Sequence, residues 1–300
     1  MADVADLGYF ADPFVLETPG GYVAYGTVPP DAAPGRTRFR MATSPDLVHW
    51  QDAGGALEPV SGLGDDYWAP EVAFHEDRYY LYYSVGHGER GHHLRVASSD
   101  APTGPFRDEG INLTPGERFA IDAHPFRDDD GTWYLFYAHD VLTGPRVGTM
   151  IAVDRMVGMT ALAGEPQTIL RPDADWQLYE RRRSMYGRVV DWHTLEGPSV
   201  VHRRGRYYCL FSGGAWGNET YGVSWAEADR PLGPWRRSAT YRRVLRTERP
   251  DLVGPGHTSI TTRGGLDVLA FHAWDAAHTA RRMHLATLRW GDDGPRVEVF

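Results

Sequence analysis

Apolar and polar residues alternate over short runs along this chain, and the runs are cut by Gly, Pro and Asp. One arrangement is written five times: a short strand with a polar residue near its start, a turn, and then an aromatic strand. Ala11-Asp12-Pro-Phe-Val-Leu leads through Pro19-Gly-Gly to Tyr22-Val-Ala-Tyr25. Ala69-Pro-Glu71-Val-Ala-Phe leads to Tyr79-Tyr-Leu-Tyr-Tyr83, and Ile121-Asp122-Ala-His-Pro-Phe126 leads to Trp133-Tyr-Leu-Phe-Tyr137. Glu196-Gly-Pro-Ser-Val leads to Tyr207-Tyr-Cys-Leu-Phe-Ser212, and Gly254-Pro-Gly-His257 leads to Val268-Leu-Ala-Phe-His272. Each repeat continues into a third strand, such as Phe39-Arg-Met-Ala-Thr-Ser44 or Leu94-Arg-Val-Ala-Ser-Ser99. Three of these end in a turn and an aromatic residue, Trp50, Phe106 or Trp235. No segment carries a capped helical period over three turns.

Short strands joined by Gly/Pro/Asp turns predict a sandwich, a barrel or a propeller. Fivefold repetition at a period of roughly 55 to 75 residues, near the upper end of what blades use, selects a five-bladed β-propeller. Residues 1–300 then form a single domain. Ring closure, with Gly8-Tyr-Phe-Ala beside Arg296-Val-Glu-Val-Phe300, is left open. Two connections are long: Asp52 to Trp68, and Val157 to Leu195. The second is too aromatic for disorder and is expected to fold over the mouth of a central pocket.

Composition narrows the partners. A net charge of −9 argues against nucleic acid, whose phosphates need a basic patch. The run Arg181-Arg-Arg183 reads as solvated surface. Aromatic residues are abundant, with 10 Trp, 16 Tyr and 11 Phe, and they suit both strands and platforms for sugar rings. Cys209 is the one cysteine, placed in a buried strand, so no intrachain disulfide can form. Neither a signal peptide nor a membrane-spanning run is visible, which predicts a cytoplasmic protein without membrane contact.

In a propeller the innermost strands begin at one mouth of the central channel. Asp12, Glu71, Asp122, Glu196 and His257 fill the five expected equivalent positions there. Carboxylates crowded in this way repel unless something compensates. Taken one at a time, each position reads equally well as a polar residue capping a strand entry. The ordered set of Ala11-Asp12-Pro, Trp68-Ala-Pro-Glu71, Ile121-Asp122-Ala-His-Pro-Phe, Glu196-Gly-Pro-Ser-Val and Gly254-Pro-Gly-His257 resembles glycoside hydrolase family 43 over nearly the whole chain. The resemblance implies a five-bladed propeller that hydrolyses pentose glycosides with inversion. Asp12 would be the general base, Glu196 the general acid, and Asp122 the residue that orients Glu196 and tunes its proton affinity. An inverting site needs two carboxyls about 6.5–9.5 Å apart, with room for a water. Glu196 is expected to be raised by an ionised Asp122 and by burial, and Asp12 to stay ionised in a wetter setting.

The resemblance also makes His257 a contact to a hydrated structural calcium on the axis; the chemistry itself needs no cofactor. Trp68, Glu71, Phe14 and His124 are expected to line the substrate pocket, although Trp68 could equally be core. Arg282 is expected to reach sugar hydroxyls, with Arg281 an equal choice. His87, His92 and His93 fall in a Gly-rich hairpin, where they either line the pocket rim or face solvent, and exposure is the preferred reading. The expected activity is an exo-acting α-L-arabinofuranosidase on arabinan or arabino-oligosaccharides. The rivals are β-xylosidase, endo-arabinanase and a non-catalytic sugar-binding propeller. Fructan and sucrose hydrolases are disfavoured, because Tyr9-Phe-Ala-Asp-Pro and Glu196-Gly lack their motifs.

Overall fold

A computed structural model describes residues 7–29, 37–237 and 243–298. Its architecture is all-β, with no α-helix among the described residues. The first sheet is an antiparallel meander of β1 (Ala11–Thr18), β2 (Gly21–Thr27), β3 (Arg38–Ser44) and β4 (Gln51–Leu57). The second repeats it with β5 (Asp66–His75), β6 (Arg78–His87), β7 (Arg90–Ser99) and β8 (Arg107–Asn112).

A ten-stranded sheet follows. It takes β9 (Ala120–Arg127), β10 (Trp133–Val141), β11 (Gly148–Gly158), β12 (Ala161–Leu162), β13 (Gln167–Leu170), β14 (Leu178–Met185), β15 (Arg188–Arg203), β16 (Arg206–Gly213), β17 (Gly222–Ala228) and β18 (Arg236–Arg237). Its two halves meet at one short parallel contact, Gly148 and Thr149 of β11 against His193 and Thr194 of β15. Gly148 has φ +140°, and a Cβ there would lie 1.9 Å from the His193 carbonyl oxygen. Only glycine lets the strands come this close. The last sheet is β19 (Val253–Arg263), β20 (Leu266–Trp274), β21 (Arg281–Gly291) and β22 (Gly294–Glu298).

The span from Val157 to Leu195 is a chain of strands rather than a loop. β13 pairs with the free edge of β11, and β14 forms a hairpin with β15 around Tyr186-Gly187. Its aromatic and β-branched residues are satisfied by ladder pairing, which a connection over the surface would not offer.

Core packing runs between the sheets. Tyr25, Phe39 and Met41 of the first interlock with Tyr67, Leu81 and Tyr83 of the second. Phe126 and Phe136 pack against Val200, Tyr207 and Phe211. Val15 and Ala24 meet Ala270, Met283 and Leu285, so the first sheet lies against the last. Each large apolar side chain buried this way stabilises the fold by roughly 1.5–3 kcal/mol. Hydrogen bonds seal the same junction: Phe10 N–H donates to the Arg281 carbonyl at 2.8 Å, and the Tyr22 hydroxyl to that of Thr262 at 2.9 Å. Among the described residues the last sheet is built from its own strands alone, since β22 pairs with β21. The run toward Phe300 is described as far as Glu298. The first strands lie side by side in sequence, β1 next to β5, β5 to β9, β9 to β15, β15 to β19, and β19 back to β1.

Candidate active site

The five first strands each break register at corresponding places. At each break one residue takes a left-handed backbone: Asp12 (φ +49°), Ala69 (+49°), Asp122 (+61°), Gly197 (+55°) and His257 (+50°). This corrects the expected equivalence of positions. Asp12, Asp122 and His257 do share a phase, but Glu196 stands one residue before its bulge position and Glu71 two after. A bulge leaves one residue unpaired and re-aims its side chain, and these offsets are not readable from the flanking prolines.

A left-handed conformation costs an L-residue roughly 1–2 kcal/mol, and the bulge also frees a backbone N–H that must find an acceptor. Four of the five N–H groups find it on the second strand of the preceding sheet or half-sheet. Asp12 N–H points at His272 Nδ1 (3.0 Å), and Ala69 N–H at Thr27 Oγ1 (2.9 Å). Asp122 N–H points at Ser84 Oγ (3.0 Å), and His257 N–H at Ser212 Oγ (2.7 Å). The fifth, Gly197 N–H, donates instead to the Asp122 carboxylate, Oδ2, at 2.8 Å.

These bulges surround a cavity of roughly 270 Å³ whose lining includes Asp12, Asp122, Glu196, Trp68, His257 and Arg281. Asp12 is buried rather than wet, contrary to expectation. Burial alone would push its carboxyl up. Arg281 (Nη1 at 3.3 Å) foremost, with His257 (Nδ1 at 3.5 Å) beside it, outweighs that and holds it well below the usual carboxylate range. Arg281 is itself clamped: its guanidinium lies 2.7 and 2.9 Å from the Tyr9 hydroxyl and 4.7 Å over the Trp216 ring.

Glu196 behaves in the opposite way. Burial first, and then the charge of Asp12, push its carboxyl up to about 7, against a hydrogen bond donated by the Tyr221 hydroxyl to Oε1 at 2.7 Å. Asp122 does not act as a plain ionised neighbour. Burial, Glu196 and Asp12 raise it well above the ordinary range, partly offset by the Gly197 N–H. It therefore shares the proton economy of Glu196 rather than only imposing on it.

The other expected residues divide. Trp68 lines the cavity, stacked on His92 at 3.7 Å between ring centroids. His92 is accordingly buried, and desolvation lowers its proton affinity to about 4; its assignment as an exposed rim residue is corrected. Glu71 and His124 are not among the lining residues. Their side chains pair at 2.7 Å, and His124 Nε2 accepts the Val200 N–H at 2.9 Å, so they pin β5, β9 and β15 together. Phe14 packs toward Tyr25 between the first two sheets, with ring centroids 6.4 Å apart. Arg281 faces the cavity, whereas Arg282 faces the other side of β21 toward Asp275 at 3.4 Å, as strand alternation requires. Arg183 is corrected as well. It turns inward to the cavity and meets Glu89 at 2.6 Å, and Glu89 also accepts the Tyr179 hydroxyl at 2.5 Å. Tyr179 belongs to the long stretch expected over the pocket mouth and lines the cavity, whereas Tyr221 and Trp216 were missed, since nothing in the repeat marks them. The nearest signal for Tyr221 is Gly256, where a Cβ would fall 2.0 Å from the tyrosine ring.

The residues around His257 do not fit direct coordination of a calcium ion, which takes six to eight oxygen ligands. The nearby carboxylates are committed: Asp12 to Arg281, Asp122 to Gly197 N–H and Glu71 to His124. Among the described residues no group of three or more His, Cys, Asp or Glu side chains is arranged to hold a metal. No helix among them is long and apolar enough to cross a membrane.

The family model for glycosyl hydrolases family 43 matches residues 7–295. The "Beta-D-galactofuranosidase xynD" of Aspergillus niger is 31% identical over 91% of this chain and 76% of its own length. An "Extracellular exo-alpha-(1->5)-L-arabinofuranosidase" of Streptomyces avermitilis is 25% identical over 95% of this chain, which spans only 60% of that protein. Such a relative lends the cytoplasmic expectation no support. Among solved structures, a thermostable family-43 glycoside hydrolase superposes with a TM-score of 0.83 at 29% identity, covering 97% of this chain and 93% of its own.

Proposed function

On the premise that this chain belongs to glycosyl hydrolases family 43 and is a glycoside hydrolase, we propose that it releases terminal L-arabinofuranose by an inverting mechanism. The observation that carries the reading is the separation of two proton affinities in one cavity. Asp12 is held ionised by Arg281, and Glu196 keeps its proton to about pH 7. Titratable groups pushed apart in this way divide into base and acid. Asp12 takes a proton from a water that attacks the anomeric carbon. Glu196 gives its proton to the departing glycosidic oxygen on the other face, and Asp122 orients the acid through the Gly197 N–H. Afterwards Glu196 regains a proton from solvent and Asp12 releases one. No step is routed through a metal near His257.

The sheets are read as blades of one five-bladed propeller formed by residues 1–300, with the ten-stranded sheet counted as two blades bridged at Gly148. Succession of β1, β5, β9, β15 and β19 around one cavity supports this. At roughly 270 Å³ the cavity lies at the lower end of the roughly 300–1,000 Å³ of sites for drug-sized ligands, and Tyr179 and Arg183 of β14 close one side of it. Both features favour exo action on a chain end over an open endo groove. A second reading, β-D-galactofuranoside hydrolysis, is favoured by the Aspergillus relative. The two sugars share ring configuration and differ in the exocyclic arm.

The test is nitrophenol release from α-L-arabinofuranoside, β-D-galactofuranoside and β-xyloside substrates, with the first-formed anomer read by NMR. Arabinofuranoside turnover with inversion is expected. Glu196→Gln should lose about 10²- to 10⁴-fold on substrates with poor leaving groups, the span of general acid catalysis. A variant as active as the parent on an oligosaccharide, whose alcohol leaving group needs the proton, removes Glu196 from the role. Tight sugar binding with no hydrolysis of any substrate would favour a lectin-like propeller.

A further inference from the structure

The bulge pattern contains one exception, and it falls at the proposed acid. The residue that accepts each freed N–H stands in its own sheet directly opposite the residue before the bulge. Thr27 pairs with Ala11, Ser84 with Trp68, Ser212 with Glu196 and His272 with Gly256. In β10 the corresponding residue, opposite Ile121, is Ala138. It is fully buried, in the apolar cluster that also holds Leu195, Val200 and Phe211 of the next half-sheet. Alanine has no acceptor to offer. The N–H left over by that omission is Gly197, and Asp122 takes it.

We propose that Ala138 is a positioning residue by what it lacks: the missing acceptor reserves the Gly197 N–H for Asp122 and so ties that carboxylate to the backbone beside Glu196. Gly197 is committed to the same arrangement, because a Cβ at its φ of +55° would sit 3.1 Å from His257 Nδ1. A hydroxyl at position 138 would stand where Thr27, Ser84 and Ser212 stand in their own sheets. It would compete with Asp122 for the amide, and the carboxyl group would lose its one backbone hydrogen bond among the described residues.

The inference rests on the roles proposed above for Asp122 and Glu196, and the experiment keeps the two separable. Ala138→Ser and Ala138→Gly are compared with the parent by steady-state kinetics and by the amide resonance of Gly197 in ¹⁵N-labelled protein. Ala138→Ser should lower kcat by about 10- to 100-fold, the worth of one hydrogen bond to a charged group. KM should hold, and the Gly197 amide proton should move upfield as it exchanges a carboxylate for a hydroxyl. Ala138→Gly, smaller but equally without an acceptor, should keep both the parent kcat and the parent resonance. Equal losses in the two variants would show that packing matters and overturn the proposal. So would a serine variant with unchanged kcat and unchanged amide. If Glu196→Gln and Asp122→Asn are inactive while Ala138→Ser is normal, this inference fails alone. If those two variants are active, the site reading fails, and the amide shift still reports whether serine captures the N–H.

Discussion

Asp12 and Glu196 share a cavity, yet they hold protons in opposite ways, and burial accounts for only the second. A carboxyl taken out of water rises unless a charge opposes it, and for Asp12 the largest opposing charge is Arg281. Replacing Arg281 with Met should therefore let the Asp12 carboxyl climb and move the acid limb of kcat/KM to higher pH. It also leaves a buried charge unpaired, a loss of about 3–5 kcal/mol. The pH–rate profile and a urea melt check both halves; an unmoved acid limb would deny Arg281 the role. Sequence reading held Arg281 and Arg282 level. Strand alternation separates them, but only once it is known which face of β21 looks inward.

At the scale of the element, the bulge sets the aim of every candidate group. The sequence shows five strand entries and the polar residue near each, but it puts Glu71 and Glu196 at a common phase with Asp12. An unpaired residue changes the count by one or two, and the neighbouring prolines do not say where it sits. The cap that steadies each bulge comes from another sheet or half-sheet, dozens to hundreds of residues away, so no local pattern announces it. Thr27→Val should leave the Ala69 N–H without its acceptor and cost about 1–3 kcal/mol, with kcat retained, because the Thr27 side chain is not among those lining the cavity of Asp12 and Glu196. Chemical denaturation and the nitrophenol assay together test this. A melt unchanged from the parent would show that the cap contributes nothing.

Across the whole molecule, the crowded carboxyls set how stability follows pH. Glu196 has its folded value raised from the ordinary 4.5 to about 7, so the native state binds this proton more tightly than the unfolded chain. Its contribution is complete below pH 4.5 and is lost as pH rises toward 7. Asp122, also raised, acts in the same direction. Asp12 is depressed, so its contribution is present above its ordinary value and is lost only in strong acid. Between about pH 4.5 and 7 thermal stability should fall, and Glu196→Gln should flatten part of that fall. Melting temperatures measured across this window for both proteins decide it; parallel curves would mean that Glu196 is not the group responsible.

The chain by itself determined that the protein is all-β, that one strand–turn–strand unit recurs five times, and which carboxylates belong to its recurring strand entries. Those features are local, since alternation, turn residues and aromatic strands are written in consecutive positions. Tertiary structure alone decided which groups meet. Arg281 against Asp12, Tyr221 on Glu196 and Asp122 on the Gly197 amide all join residues from separate parts of the chain, 25 to 269 positions apart. The proton affinities follow those meetings, because desolvation and neighbouring charge exist only once the sheets have packed together around the cavity.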